Sequence, residues 1–81
     1  YHDRYLIAVN NPIRRKILYA LMDGEKTIDE IVKITSLPRD VLAWHLKILE
    51  WGFCIKQVTK ENDVFLQLQK EGEIVNFLKS Q

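Results

Sequence analysis

The chain has 81 residues, 47% of them apolar and 28% charged, and its twelve basic and eleven acidic side chains leave a net charge of +1. This is ordinary globular composition, which excludes a fibrous or disordered chain, and the near-neutral balance means that any electrostatic footprint for nucleic acid is local. No apolar run approaches the roughly 18 residues that span a bilayer, no secretory leader opens the chain, and the lone Cys54 excludes an internal disulfide, so residues 1–81 are expected to form one soluble domain of a reducing, cytoplasmic compartment.

In chain order, Asp3 to Val9 contains an almost continuous apolar stretch, Tyr5, Leu6, Ile7, Ala8 and Val9. It predicts a short helix that cannot face water on both sides. Asn11 and Pro12 supply an N-cap and a first-turn proline, and Gly24 supplies a stop, which brackets a helix of about 12 residues. Ile13, Ile17, Ala20 and Leu21 form its main stripe, while Leu18 and Met22 lie on another side, so this helix is expected to be covered on two faces.

Thr27-Ile28-Asp29-Glu30 fits a capping box, in which hydroxyl and carboxylate satisfy free amide donors at a helix start, and the helix it opens runs to about Thr35. Ser36-Leu37-Pro38 predicts a tight connection, because proline disfavours a helical Leu37 yet suits the first turn of the next helix. That next helix extends to Glu50 or Trp51 and stops at Gly52. At about 100° per residue Leu42, His45, Leu46 and Leu49 share one side, while Asp40, Trp44, Lys47 and Trp51 share the opposite one, so both tryptophans point away from the core. Phe53 to Val58 and Val64 to Leu68 are rich in β-branched and aromatic residues around a turn-like Lys60-Glu61-Asn62-Asp63, predicting an antiparallel hairpin. Glu71 to Ser80 returns to helical spacing through Ile74, Phe77 and Leu78. The expected fold is α+β and mostly helical: a three-helix core, a two-stranded wing and a C-terminal helix.

Two short helices joined by a tight turn, the second running straight into a hairpin, have the order of a winged helix-turn-helix, where one helix enters the major groove and the helix before it serves as its brace. The stretches Asn11 to Leu18, Thr27 to Ile31, Leu37 to Glu50 and Gly52-Phe53 together resemble the ArsR-like winged-helix transcription regulators, over nearly the whole chain. The resemblance implies a double-stranded DNA partner, groove-facing residues at Arg39, Asp40, Ala43, Trp44 and Lys47, and a backbone-contacting wing over Lys56 to Asp63 that includes Lys60. Family members often carry Ser, Thr, Gln or Arg on the reading face, whereas this chain offers Ala43, Trp44 and an acidic Asp40. The metal-sensing members carry paired cysteines in the helix before the reading helix; Ile28 to Thr35 has none, and no metal or cofactor is expected.

The remaining residues read more plainly. His45 flanks the apolar stripe as a packed, hydrogen-bonded side chain in preference to a ligand, and Cys54 reads as a small hydrophobe in preference to a redox thiol. Arg14, Arg15 and Lys16 read as a solvated basic face sooner than as phosphate contacts, and Trp51 is placed against the hairpin or against another molecule. With no phosphate loop, nucleophile motif or metal-ligand spacing, neither an enzyme nor a small-molecule substrate is expected. Apolar surface at Tyr5, Leu6, Ile7, Val9, Ile74, Val75, Phe77 and Leu78 exceeds the need of one small core and points to a homodimer. The reading from a different class is a protein-interaction module that buries Trp44 and Trp51 in a partner.

Overall fold

The computed structural model describes residues 2–74. Helix α1, His2–Val9, leads through Asn10 into α2, Pro12–Ala20. The Asn11 side chain caps α2 as its sequence requires: Oδ1 accepts from the backbone amides of Ile13 at 2.9 Å and Arg14 at 3.1 Å, and Pro12 fills the first turn. The helix ends at Ala20, short of the expected stop at Gly24. From Leu21 onward the amides reach back only three residues, Leu21 to Leu18 and Met22 to Tyr19, which tightens the chain into a turn. Gly24 belongs to that turn, where its φ of +141° excludes any residue with a Cβ at low cost.

Strand β1 is only Lys26–Thr27, and it leads directly into α3, Ile28–Thr35. The capping box is complete: the Thr27 hydroxyl accepts from the Glu30 amide at 3.2 Å and the Glu30 carboxylate accepts from the Thr27 amide at 2.9 Å. Those bonds, the backbone one foremost, hold the Glu30 carboxyl below its usual range. Ser36 turns the chain at φ +59°, and Pro38 precedes α4, Arg39–Trp51.

The end of α4 departs from expectation in an instructive way. Gly52 sits at an ordinary φ of −86°, and it is Phe53 that adopts the left-handed conformation, at φ +62°. The Phe53 amide donates to Glu50 O at 3.0 Å and the Cys54 amide to Leu49 O at 2.9 Å, the paired bonds of a Schellman motif. Gly52 is needed for space instead: a Cβ there would stand 2.6 Å from Ala8 Cβ and 2.9 Å from the Arg4 carbonyl oxygen, so the glycine lets α1 cross α4 closely.

Because Phe53 and Cys54 complete that motif, the wing starts later than expected, with β2 over Ile55–Lys60 and β3 over Asp63–Leu68. The two are antiparallel, Lys60 faces Asp63, and Glu61 and Asn62 both take positive φ, at 49° and 71°, as a two-residue hairpin turn demands. The sheet is three-stranded, in the order β1-β3-β2, and not the expected two-stranded wing. Strand β1 pairs Lys26 with Leu66 and Thr27 with Phe65, stitching the wing to the start of α3. A short 3₁₀ helix, Lys70–Ile74, closes the described residues; the rest of the expected C-terminal helix lies outside them.

The core joins every helix to the sheet: Ala8 and Val9 of α1, Ile17 and Leu18 of α2, Ile31 of α3, Leu42, Leu46 and Leu49 of α4, and Cys54, Ile55 and Leu66 around the wing. Contrary to the expectation of two covered faces, α2 buries a single stripe, Arg14, Ile17, Leu18 and, just past its end, Leu21, and leaves Ile13 39% and Met22 37% exposed; α4 likewise buries one face only.

Candidate nucleic-acid interface

The inward face of α4 is fixed by apolar packing and by one polar link. Leu42 and Leu49 are wholly enclosed and Leu46 nearly so, and His45 lies among them at 4% exposure. His45 Nδ1 stands 3.3 Å from Arg14 Nη1. A guanidinium can only donate, so Nδ1 is the acceptor and the neutral ring carries its proton on Nε2. Burial, and after it the Arg14 charge, pull the His45 pKa below its usual value.

Arg14 is itself 7% exposed, and its Nε donates to Ala8 O at 2.6 Å while Nη2 reaches Ile7 O at 3.4 Å. This corrects the reading of Arg14 as part of a solvated basic face. It ties the orphan carbonyls at the end of α1 to the helix that carries the outward face. The neighbouring Arg15 likewise donates to Val9 O, at 3.0 Å.

With its inner face pinned, α4 presents Asp40, Val41, Ala43, Trp44, Lys47 and Trp51 to solvent. Trp44 is 59% exposed, and its indole meets the His45 ring edge-on, with centroids 4.9 Å apart. Trp51 is 44% exposed, and the Arg4 guanidinium of α1 lies over its ring at 5.3 Å and over the Phe53 ring at 5.7 Å. The wing is held to the same helix by Gln57 Nε2, which donates to Glu50 Oε1 at 2.8 Å.

The cations expected at this surface fall into two groups. Arg39 forms an ion pair with Asp29 of α3, and Lys60 forms one with Glu25 at 2.8 Å. Glu25 also accepts from Gln67 Nε2 at 2.8 Å, and the Lys60 and Gln67 bonds, in that order, hold its carboxyl below the usual range. Lys47 and Lys56 are exposed and form no ion pair among the described residues. Asp29, Glu25, Gln57 and Arg14 carry no motif of their own, because each takes its role from a side chain distant in sequence or on another element.

Of the residues expected at a dimer face, Leu6 is 40% exposed and Ile7 56%, Tyr5 packs against the core, and Val9 belongs to the core at 3% exposure. Val9 is therefore corrected: its apolar surface is used inside this chain, because the α1–α2 turn folds it inward. Leu6, Val9, Asn10 and Arg15 line an open hollow of about 250 Å³. Val75, Phe77 and Leu78, and the side chain of Ile74, lie outside the described residues. Cys54 is fully buried, its thiol donates to Gly52 O at 3.5 Å, and burial, then the Glu71 charge, push its pKa up to about 11. At neutral pH it is a packed thiol, as its apolar surroundings in the sequence imply.

A helix packed from behind against α1 and α2, exposed along one face and flanked by a tethered hairpin, defines a winged helix-turn-helix protein. Residues 11–50 match the family model described as bacterial regulatory protein, arsR family, so the chain is ArsR-like, and the proteins of that family are transcription regulators and not enzymes. HlyU from Vibrio cholerae has a similar fold, with a TM-score of 0.85 and 24% identity over 96% of this chain and 87% of that one. A winged helix-turn-helix DNA-binding domain from Mycobacterium bovis, described as homodimeric, matches at 0.86 and 19% over 96% and 74% of the two chains. The transcriptional repressor BigR from Xylella fastidiosa matches at 0.82 and 20% over 96% and 82%. No curated protein matches in sequence. No helix among the described residues is long and apolar enough to cross a membrane, and none of their acidic, histidine or cysteine side chains group in threes as metal ligands do.

Proposed function

We propose that the chain is a sequence-specific regulator that lays α4 in the major groove of double-stranded DNA and sets the β2–β3 hairpin along the neighbouring backbone. The observation that carries this reading is the division of α4. Leu42, His45, Leu46 and Leu49 are buried and held, while Asp40, Ala43, Trp44 and Lys47 stand outward on the same rigid rod. A major groove about 12 Å wide admits one such helix, provided that a scaffold leaves its outer face free. Lys47 and Lys56 are the cations ready for phosphate or guanine, and Arg39 and Lys60 become available when DNA displaces Asp29 and Glu25.

The regulator acts as a homodimer, supported by the exposed Leu6 and Ile7 of α1 and by the homodimeric Mycobacterium bovis domain of the same fold. Its two reading helices then stand about 34 Å apart on a two-fold operator, in the cytoplasmic compartment that holds the chromosome. Selection from random duplexes at two salt concentrations tests the whole reading. The expected result is an enriched palindrome whose affinity falls with salt at a log-log slope of about −0.9 per neutralised phosphate. Absence of enrichment, or binding indifferent to salt, would refute it.

A further inference from the structure

We infer that Trp44 reads thymine through its 5-methyl group, so that each half-site of the operator carries a thymine opposite this indole. The inference rests on the groove reading above and goes further, assigning a base chemistry to one side chain. It follows from what the outward face of α4 can and cannot recognise.

Asp40, Ala43, Trp44 and Lys47 include no Asn, Gln or Arg, the side chains that read adenine or guanine with paired hydrogen bonds. Arg39, at the first turn of the helix and paired with Asp29, is assigned to phosphate once DNA displaces that carboxylate. Asp40 can only accept, which suits the cytosine amino group, and Lys47 donates as a point charge to guanine or phosphate. Ala43 and Trp44 offer chiefly apolar surface, and the apolar feature of the major groove is the thymine methyl.

Trp44 is the most exposed large apolar side chain among the described residues, at 59%, and Val41, one turn back on the helix, is 37% exposed. The Asp40 carboxylate lies four residues before Trp44, on the same stripe. Its charge keeps that edge of the helix away from phosphates and directs it toward base edges. One edge of the ring also has a neighbour before any ligand arrives. It abuts the His45 imidazole edge-on, and His45 is fixed by Arg14 in the core. An aromatic side chain, with two rotatable bonds, loses little entropy on contact, which favours its use for recognition.

The test takes the duplex that selection enriches and replaces each thymine in turn with deoxyuridine, which deletes the methyl and nothing else. Affinities are read by fluorescence anisotropy. One position per half-site should lose about fourfold in affinity, the value of one buried methyl. Trp44→Ala should bind more weakly and become indifferent to uracil at that position, Trp44→Phe should keep the sensitivity, and Lys47→Ala should bind more weakly yet keep it. Circular dichroism of each variant verifies that the fold is intact, as the exposure of both side chains predicts. An enriched palindrome bound equally well with uracil throughout would overturn the thymine reading and leave the groove reading standing. The same holds if Trp44→Ala bound as the parent does. Selection that enriches nothing would overturn both.

Discussion

Replacing Arg14 with Met tests whether the buried guanidinium joins α1 to α4. Methionine retains most of the aliphatic stem but none of the donors, so Ala8 O loses its 2.6 Å bond and His45 Nδ1 its 3.3 Å partner in surroundings where Arg14 and His45 are 7% and 4% exposed. A buried acceptor left unpaired costs about 1–3 kcal/mol, and the loss is offset in part because a charge no longer has to be taken from water. The net expectation is a destabilisation of about 2–3 kcal/mol, or roughly 10–20 °C in Tm for a domain of this size. Thermal and urea unfolding followed by circular dichroism measure it.

The same link gives stability a pH dependence with a definite sign. Folding lowers the His45 pKa below its ordinary value of 6.5, so near and below that pH the unfolded chain binds more protons than the folded one. Stability is therefore full above about pH 6.5 and declines as pH falls toward the folded pKa. In Arg14→Met the decline should become shallower without vanishing, because burial is the larger cause and the Arg14 charge the smaller. A variant that unfolds at the parental midpoint with an unchanged pH slope between 7.5 and 5 would refute the account of Arg14 as the link.

Four further outcomes are expected. Gly52→Ala should destabilise the fold by about 2 kcal/mol through overpacking against Ala8 and Arg4, and adding Ala8→Gly should recover part of the loss in the same unfolding assay. Thr27→Ala removes the hydroxyl that caps α3 and should lower stability by about 1 kcal/mol, read as a shift in urea midpoint at unchanged slope. The Cys54 thiol, with a pKa of about 11, should resist a disulfide reagent at pH 7.5 in the folded protein and react fully in denaturant; rapid reaction of the native chain would contradict its burial. Asp29→Asn frees Arg39 and should raise affinity for any duplex by about threefold at low salt, because DNA no longer has to displace the carboxylate; an unchanged affinity would mean that Arg39 does not reach phosphate.

What the chain discloses before folding follows from how far apart the interacting residues lie. The cap at Asn11, the box at Thr27–Glu30, the Pro38 boundary and the turn at Glu61–Asn62 involve partners within four positions, so composition and spacing reveal them. The inward stripe of α4 is legible for the same reason, since helical periodicity is itself local. Strand β1 is not, because two residues carry no periodicity and its pairing with Phe65 and Leu66 is visible only across the folded sheet. Gly52 looks like a helix stop, yet a close crossing with α1 requires it, and Phe53 takes the left-handed position in its place.

The charges diverge most from their appearance. Arg14 stands in a run of three basic residues, where solvation is the ordinary expectation, but its position one turn into α2 aims it at the end of α1 and at His45. Arg39 and Lys60, placed at the DNA face by resemblance, are held by carboxylates from α3 and from the loop before β1. Those pairs change what near-neutral composition means here. The net charge of +1 does not reflect a lack of cations at the α4 and wing surface, because part of that surface's positive charge is masked by Asp29 and Glu25 until a competing anion displaces them. If α4 lies in the groove as proposed, the masking weakens attachment to arbitrary duplex, and discrimination among sequences falls chiefly to the side chains that carry no charge to mask, Ala43 and Trp44.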